Sequence, residues 1–299
     1  MDNKHSNPGS GLAAWGFLIV LLVLTFSTIY LFWARTWWFP ESITELGRQI
    51  DQQFIRTMWI TGLVFLLAQL GLAYTILRFT SAKPGRASAS HGNTTMEIVW
   101  TALTGVMFVG LGIAAEAAWS EYHALGPAPA GANAQHIEVT GKQFKWYFRY
   151  PGPDGVFGRT KLELVRDDLG NFQGVDFDDP AAKDDVITAE LAVVVNQTVQ
   201  VTLRTLDVTH SFFVRELRFK QDAVPGLVIT MNFTPEKTGV YEIVCAELCG
   251  LGHHQMRADL KVLTPAEFEQ WMREQATYMP ALTGVEPPAT ESPESQPQP

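Results

Sequence analysis

The chain has 299 residues, 46% of them hydrophobic and only 18% charged, with 31 acids against 22 Lys and Arg and a formal net charge of −9. That balance would repel a phosphate backbone and argues against nucleic-acid binding. The two cysteines, Cys245 and Cys249, are too few for a multi-disulfide scaffold, a four-cysteine zinc site or a C-x-x-C-H haem attachment.

The first apolar run, 12–33, carries no charge, and about 20 residues at 1.5 Å rise cross a bilayer. A signal peptide is the competing reading, but its apolar core would be about 7–15 residues long and end at a small-residue cleavage site. Residues 1–35 are expected to be an extra N-terminal transmembrane helix or signal anchor, with Trp37 and Trp38 at the interface. The runs 58–77, broken only by Gln69, and 98–115, bracketed by Glu97 and Glu116, predict a transmembrane hairpin over 40–119. Between them Arg78, Lys83 and Arg86 stand without an acid, which puts that loop and the N-terminus inside and everything after Trp119 outside.

From Glu121 onward there are 25 acids and 15 Lys or Arg, the balance of a water-facing domain. Short β-branched and aromatic runs at 137–140, 144–148, 191–195, 198–203, 227–233, 241–244 and 258–263 are separated by Gly, Pro, Asn and Asp, and predict a Greek-key sandwich or barrel over 120–280. Residues 151–185 read as a long acidic excursion without periodicity. Thr264, Pro265 and Glu267 read as N-cap, N1 proline and capping-box acid of a short helix to about Ala276. The Pro-, Ser-, Gln- and Glu-rich tail 281–299 has nothing to bury and is expected to be disordered.

The chemistry concentrates in Cys245-Ala246-Glu247-Leu248-Cys249-Gly250-Leu251-Gly252-His253-His254-Gln255-Met256, with Asp207-Val208-Thr209-His210 upstream. Two thiolates, an imidazole and a thioether in one loop, with a second imidazole from a neighbouring strand, form a soft ligand set that favours copper. Zinc prefers four Cys or His, and Met256 would serve it poorly. A mononuclear blue-copper site needs one cysteine, whereas two thiolates can bridge two ions. The bland alternative is a disulfide between Cys245 and Cys249, which would need none of the Glu, Gly, His and Met residues around them.

With Gly141-Lys142-Gln143-Phe144-Lys145-Trp146, His210-Ser211-Phe212, Asp222-Ala223-Val224-Pro225-Gly226 and the full C-x-E-x-C-G-x-x-H-x-x-M loop, the sequence resembles subunit II of haem-copper cytochrome c oxidase over about residues 40–271. The resemblance implies a membrane-anchored chain whose N-terminal helices precede an all-β cupredoxin-like Greek-key barrel. It implies a dinuclear copper (CuA) centre held by His210, Cys245, Cys249, His253 and Met256 and by the backbone carbonyl of Glu247. The Glu247 side chain would reach a Mg²⁺ or Mn²⁺ shared with subunit I, a hard cation suited to a carboxylate. The implied function is that of the CuA-bearing subunit of cytochrome-c oxidase, with no catalytic residue of its own. Such a subunit accepts electrons from cytochrome c or a similar donor and passes them to haem in subunit I, where O₂ is reduced to water. Its partners would be subunit I, the other oxidase subunits, the donor and membrane lipid, in a bacterial inner membrane with the C-terminal domain outside.

The resemblance also assigns Phe144 and Trp146 to the place where electrons come in, Asp207 to the docking surface for the donor, and Glu97 to the mouth of a proton path, although Glu97 equally suits a helix N-terminus. Phe144 stands where the family usually has Trp, and His254 replaces a usual serine; a surface position is expected for His254. The rival functions are the CuA subunit of a nitric oxide reductase-type relative and a membrane-anchored copper-binding module.

Overall fold

The computed structural model describes residues 8–35, 38–80, 92–123, 126–129 and 132–276. Trp37, Lys83, Arg86 and the tail expected over 281–299 lie outside the described residues. Three long helices come first: α1 (Pro8–Trp33), α2 (Glu45–Thr80) and α3 (Thr94–His123). Each contains a stretch long and apolar enough to cross a membrane, Gly11–Trp33, Glu45–Phe79 and Thr94–Glu116. Their large apolar side chains are mostly exposed, Leu103 at 71% and Val106 at 74% among them, so the hydrophobic surface surrounds these helices instead of forming one stripe.

The chain divides into two compact units, 1–40 with 49–119, and 41–48 with 120–299. Glu41–Arg48, read from the sequence as part of the helical hairpin, therefore belongs with the β unit. The reason is local: Ile43 is buried in the β core, its N–H donates to the Glu216 carbonyl at 2.9 Å, and its carbonyl accepts from Glu236 N–H at 2.8 Å. Arg48 then pairs with Glu236.

The β unit is a sandwich of two five-stranded sheets. Its strands are β1 (Gln135–Lys142), β2 (Lys145–Tyr150), β3 (Val186–Thr188), β4 (Leu191–Val194), β5 (Val199–Thr205), β6 (His210–Val214), β7 (Phe219–Ala223), β8 (Ile229–Phe233), β9 (Gly239–Cys245) and β10 (Arg257–Leu263). The sheet orders are β3-β2-β1-β5-β8 and β4-β10-β9-β6-β7. β1 runs parallel to β5 and β10 parallel to β4, and the other pairs are antiparallel. The period-two pattern is cleanest in β5, where Val199, Val201, Leu203 and Thr205 are buried and the residues between them are half-buried. The architecture is the cupredoxin-like one expected. Two strands were not foreseen, β3 and β7, edge strands that are short or polar because only one side is paired. β6, the strand expected to supply His210, opens on His210 and Ser211, polar residues buried at the site described below.

The excursion 151–185 is folded, with three single 3₁₀ turns and bridges Thr160–Val175 and Arg166–Asn171. It is anchored through Arg149 of β2, which is 1% exposed and donates to Asp185 Oδ2 and the Gly158 carbonyl at 2.9 Å each, and to Glu138 Oε2 at 2.8 Å. The closing helix α4 (Pro265–Ala276) begins at the predicted capping box, where Thr264 N–H donates to Glu267 Oε2 at 2.8 Å. Its Trp271 packs edge-on against Tyr150 at 5.5 Å.

Candidate metal centre

In the second sheet β9 lies between β10 and β6. β9 ends on Cys245, β10 follows Met256 directly, and β6 starts on His210, so sheet order alone brings three donors to one end. The loop between Cys245 and Met256 is closed at its neck by Cys245 N–H donating to the Met256 carbonyl at 3.1 Å, and Ala246 N–H ties it to the Ser211 carbonyl at 3.0 Å. A 3₁₀ turn at His253–Gln255 then returns His253 towards Cys249.

The donor atoms form a connected run. His210 Nδ1 lies 3.9 Å from Cys245 Sγ, Cys245 Sγ 3.9 Å from Cys249 Sγ, and Cys249 Sγ 3.6 Å from His253 Nδ1 and 3.8 Å from Met256 Sδ. The Glu247 carbonyl oxygen lies 3.2 Å from Cys245 Sγ, while the Glu247 side chain is exposed. Two ligands on one tetrahedral ion, at about 2.3 Å for sulfur and 2.0 Å for nitrogen, stand about 3.5–3.8 Å apart. The observed separations match shared coordination and are far beyond the roughly 2.05 Å of a disulfide; both cysteines are free. Five side chains and a carbonyl exceed what one tetrahedral ion needs, and the two sulfurs occupy the middle of the run, where they can serve two ions at once.

Charge supports the same reading. Burial pushes the Cys245 thiol up, but hydrogen bonding from His210 and the Glu247 and Ser211 backbone outweighs it and brings Cys245 down to about 6. Cys249 is pushed up to about 11 by burial and by the neighbouring Cys245. The protein by itself therefore tolerates one thiolate here and resists the second, and positive ions would remove that conflict.

Around the donors the β1–β2 turn acts as a clamp. Asp207 accepts from Gln143 N–H and Val208 N–H at 2.7 Å each and from His210 Nε2 at 2.8 Å. Burial alone would raise the Asp207 carboxyl, but these donors hold it below its usual range. Because Nε2 is spent on Asp207, the Nδ1 lone pair of His210 faces the sulfurs. The Gln143 side-chain amide donates to the Cys249 carbonyl, so one turn holds both ligand-bearing segments. Nothing in the sequence singled out Gln143; the available signal was its place beside Phe144 in the aromatic segment.

Phe144 is half-buried, with its ring over the loop: a methyl group on Gly252 would meet Phe144 Cδ2 at 2.4 Å, and one on Gly250 would meet Cε1 at 3.0 Å. Trp146, expected where electrons come in, is 1% exposed and sits edge-on to His210 and Phe212, at 6.0 and 5.7 Å, inside the core. Asp207, expected at the docking surface, has a side chain 24% exposed that is also hydrogen-bonded to His210. His254 is exposed, as expected. Glu97 belongs to the helical unit, exposed in the first turn of α3, where Asn93 Oδ1 caps Met96 N–H at 3.1 Å.

A family model described as cytochrome c oxidase subunit II, periplasmic domain, matches residues 136–262. An alternative cytochrome c oxidase subunit 2 from Bradyrhizobium diazoefficiens is 35% identical over 268 residues, covering 87% of this chain and 92% of that protein. Cytochrome c oxidase subunit 2 of Thermostichus vulcanus is 29% identical over 256 residues, covering 79% of this chain and 77% of that one. Among solved structures, the periplasmic domain of subunit II of cytochrome oxidase from Bradyrhizobium japonicum aligns with TM-score 0.37 and 28% identity, over 50% of this chain and 99% of that one.

Proposed function

This chain belongs to the cytochrome c oxidase subunit II family, a subunit of a haem-copper oxidase, and from that premise we propose that it carries a dinuclear copper centre through which electrons reach the catalytic subunit. The observation that carries the reading is the run His210–Cys245–Cys249–His253 and Met256, with two thiols 3.9 Å apart between two imidazoles. His210, Cys245, Cys249, His253 and Met256 would hold the two ions, with the Glu247 carbonyl, and bound copper would supply a reversible one-electron couple shared through both sulfurs.

This chain's own residues keep that site rigid and dry. Asp207 fixes the ring of His210, Gln143 fixes the Cys249 carbonyl, and Phe144 covers the loop at Gly250 and Gly252. Little movement between redox states keeps the cost of electron transfer low. Phe144 is the half-exposed ring nearest the loop and is assigned to receive the electron from cytochrome c or a similar donor. The exposed Glu247 carboxylate suits Mg²⁺ or Mn²⁺ at the contact with subunit I. Glu97 at the start of α3 is assigned to the proton path of that subunit. Three helices long and apolar enough to span, with the basic, acid-free link between the second and third, support a bacterial inner membrane as the location, N-terminus inside and β unit outside.

Copper quantification and EPR on the purified chain test the reading. Two coppers per chain sharing one unpaired electron are expected, and Cys249→Ser is expected to abolish the shared-electron spectrum. A zinc-loaded protein, or a spectrum that survives Cys249→Ser, would overturn it. The catalytic subunit that co-purifies is expected to reduce O₂; one that reduces nitric oxide would move the chain to the sister function.

A further inference from the structure

The helical unit contains a cavity of about 690 Å³ between the C-terminal end of α1 and α2, unrelated to the metal centre. This volume is in the range of small-molecule sites, about 300–1,000 Å³. Its walls are carbon: Ile29 and Phe32 from α1, Met58, Leu63 and Leu66 from α2. The hydroxyls that line it are already used, since Thr28 donates to the Leu24 carbonyl and Thr61 to the Thr57 carbonyl, each at 2.8 Å. Gly62 also lines it, and a methyl group placed on Gly62 meets nothing within 4 Å, so the space is continuous with the α2 surface.

One charge stands at this cavity. Arg35 follows the last turn of α1 at φ 51, a left-handed position where Gly or Asn would cost less. Its guanidinium lies 6.0 Å from the centre of the Trp38 ring, and among the described residues it has no carboxylate partner. Trp33 and Trp59, both exposed, line the same cavity, the residue type that gathers at a membrane–water boundary. The lining residues include no Asp, Glu or His, so nothing there could take the protons that oxidation of a quinol would release.

We propose that this cavity binds an anionic phospholipid of the outer leaflet, one acyl chain between α1 and α2 and its phosphate on Arg35. Guanidinium and phosphate pair through two parallel hydrogen bonds, and the carbon walls accept a chain but no polar group. This assignment rests on the membrane orientation proposed above; it does not depend on copper.

The test uses the full oxidase complex purified through this chain, delipidated in detergent and then offered phosphatidylglycerol or phosphatidylcholine, with bound lipid counted by native mass spectrometry. One phosphatidylglycerol per chain is expected to remain, preferred severalfold over phosphatidylcholine. Retention is expected to fall about tenfold in Arg35→Gln, where the charge is lost, and in Gly62→Phe, where the ring fills the cavity, and to be largely rescued in Arg35→Lys. Equal retention of both lipids, no retention above the detergent background, retention unchanged in both variants, or displacement of the lipid by a short-chain quinol would each overturn the proposal. Copper content and the EPR spectrum are expected to stay at wild-type values in both variants, which separates failure of the lipid site from failure of the copper reading. Failure of the orientation shows independently, in the labelling of engineered cysteines described below.

Discussion

Gly252 and Asp207 show how little tolerance the metal loop has. A methyl group on Gly252 would stand 2.4 Å from the Phe144 ring, so Gly252→Ala forces the ring or the loop to move. Overpacking of this kind costs about 1–3 kcal/mol. A lowered melting temperature and weaker copper retention are expected, both largely restored by pairing it with Phe144→Leu; an unrelieved double variant would mean that the ring is not the obstacle. Asp207→Ala leaves the Gln143 and Val208 N–H groups and the His210 ring without their acceptor. Loss of such an outer partner typically weakens metal binding about 10–100-fold. Copper competition against a chelator reads that loss, together with altered copper hyperfine splitting. An altered donor KM with unchanged copper affinity would instead assign Asp207 to the docking surface. At this scale the sequence showed which residue types were soft ligands and how they were spaced. It did not show that Asp207 hydrogen-bonds to His210 and Gln143 or that Gln143 bridges two segments, because both depend on a turn from one sheet meeting a loop from the other.

At the scale of elements, the excursion 151–185 depends on the buried Arg149 and its partners Asp185, Glu138 and the Gly158 carbonyl. Arg149→Met leaves the buried Asp185 carboxylate without its cation, while the half-buried Glu138 keeps Arg204 at 3.5 Å; a broken buried pair costs about 3–5 kcal/mol. Unfolding of the β unit by urea is expected to show it, and proteolysis is expected to cut first within 151–185. Asp185 also gives the unit a pH dependence. Burial raises its carboxyl to about 6, against the opposing pull of Arg149 and the Gly158 N–H, from an ordinary 3.8. Between those values the folded state binds more protons than the unfolded one, so this group's contribution to stability falls as pH rises from about 4 to 6. Asp185→Asn is expected to flatten the slope of unfolding free energy over that window while lowering stability overall; an unchanged slope would show that Asp185 does not titrate there. The acidic, aperiodic composition of the excursion concealed its folding, since what holds it is scattered side-chain contacts, Arg149 with Asp185 and Lys161 with Asp176 among them, and not a hydrophobic period. β3 and β7 were missed for a related reason: an edge strand presents less of the alternation by which strands are read.

For the whole molecule, the orientation proposed from charge asymmetry and three apolar helices can be checked by labelling. With both native cysteines replaced by serine, Asp154→Cys is expected to react with a membrane-impermeant thiol reagent in intact cells and Ser90→Cys only after the membrane is opened. The reverse pattern would invert the orientation and with it the leaflet assigned to the lipid. The sequence by itself determined the division into apolar helices and an acidic β domain, and singled out the soft side chains proposed as copper ligands, because hydrophobic period, charge and ligand softness are properties of residues and their spacing. Only the tertiary structure decided that Glu41–Arg48 joins the β unit, that Trp146 is buried, and that Asp207 holds His210. Each of these depends on which distant backbone groups come within hydrogen-bonding reach, and that is fixed by strand order and sheet packing, which local spacing does not encode.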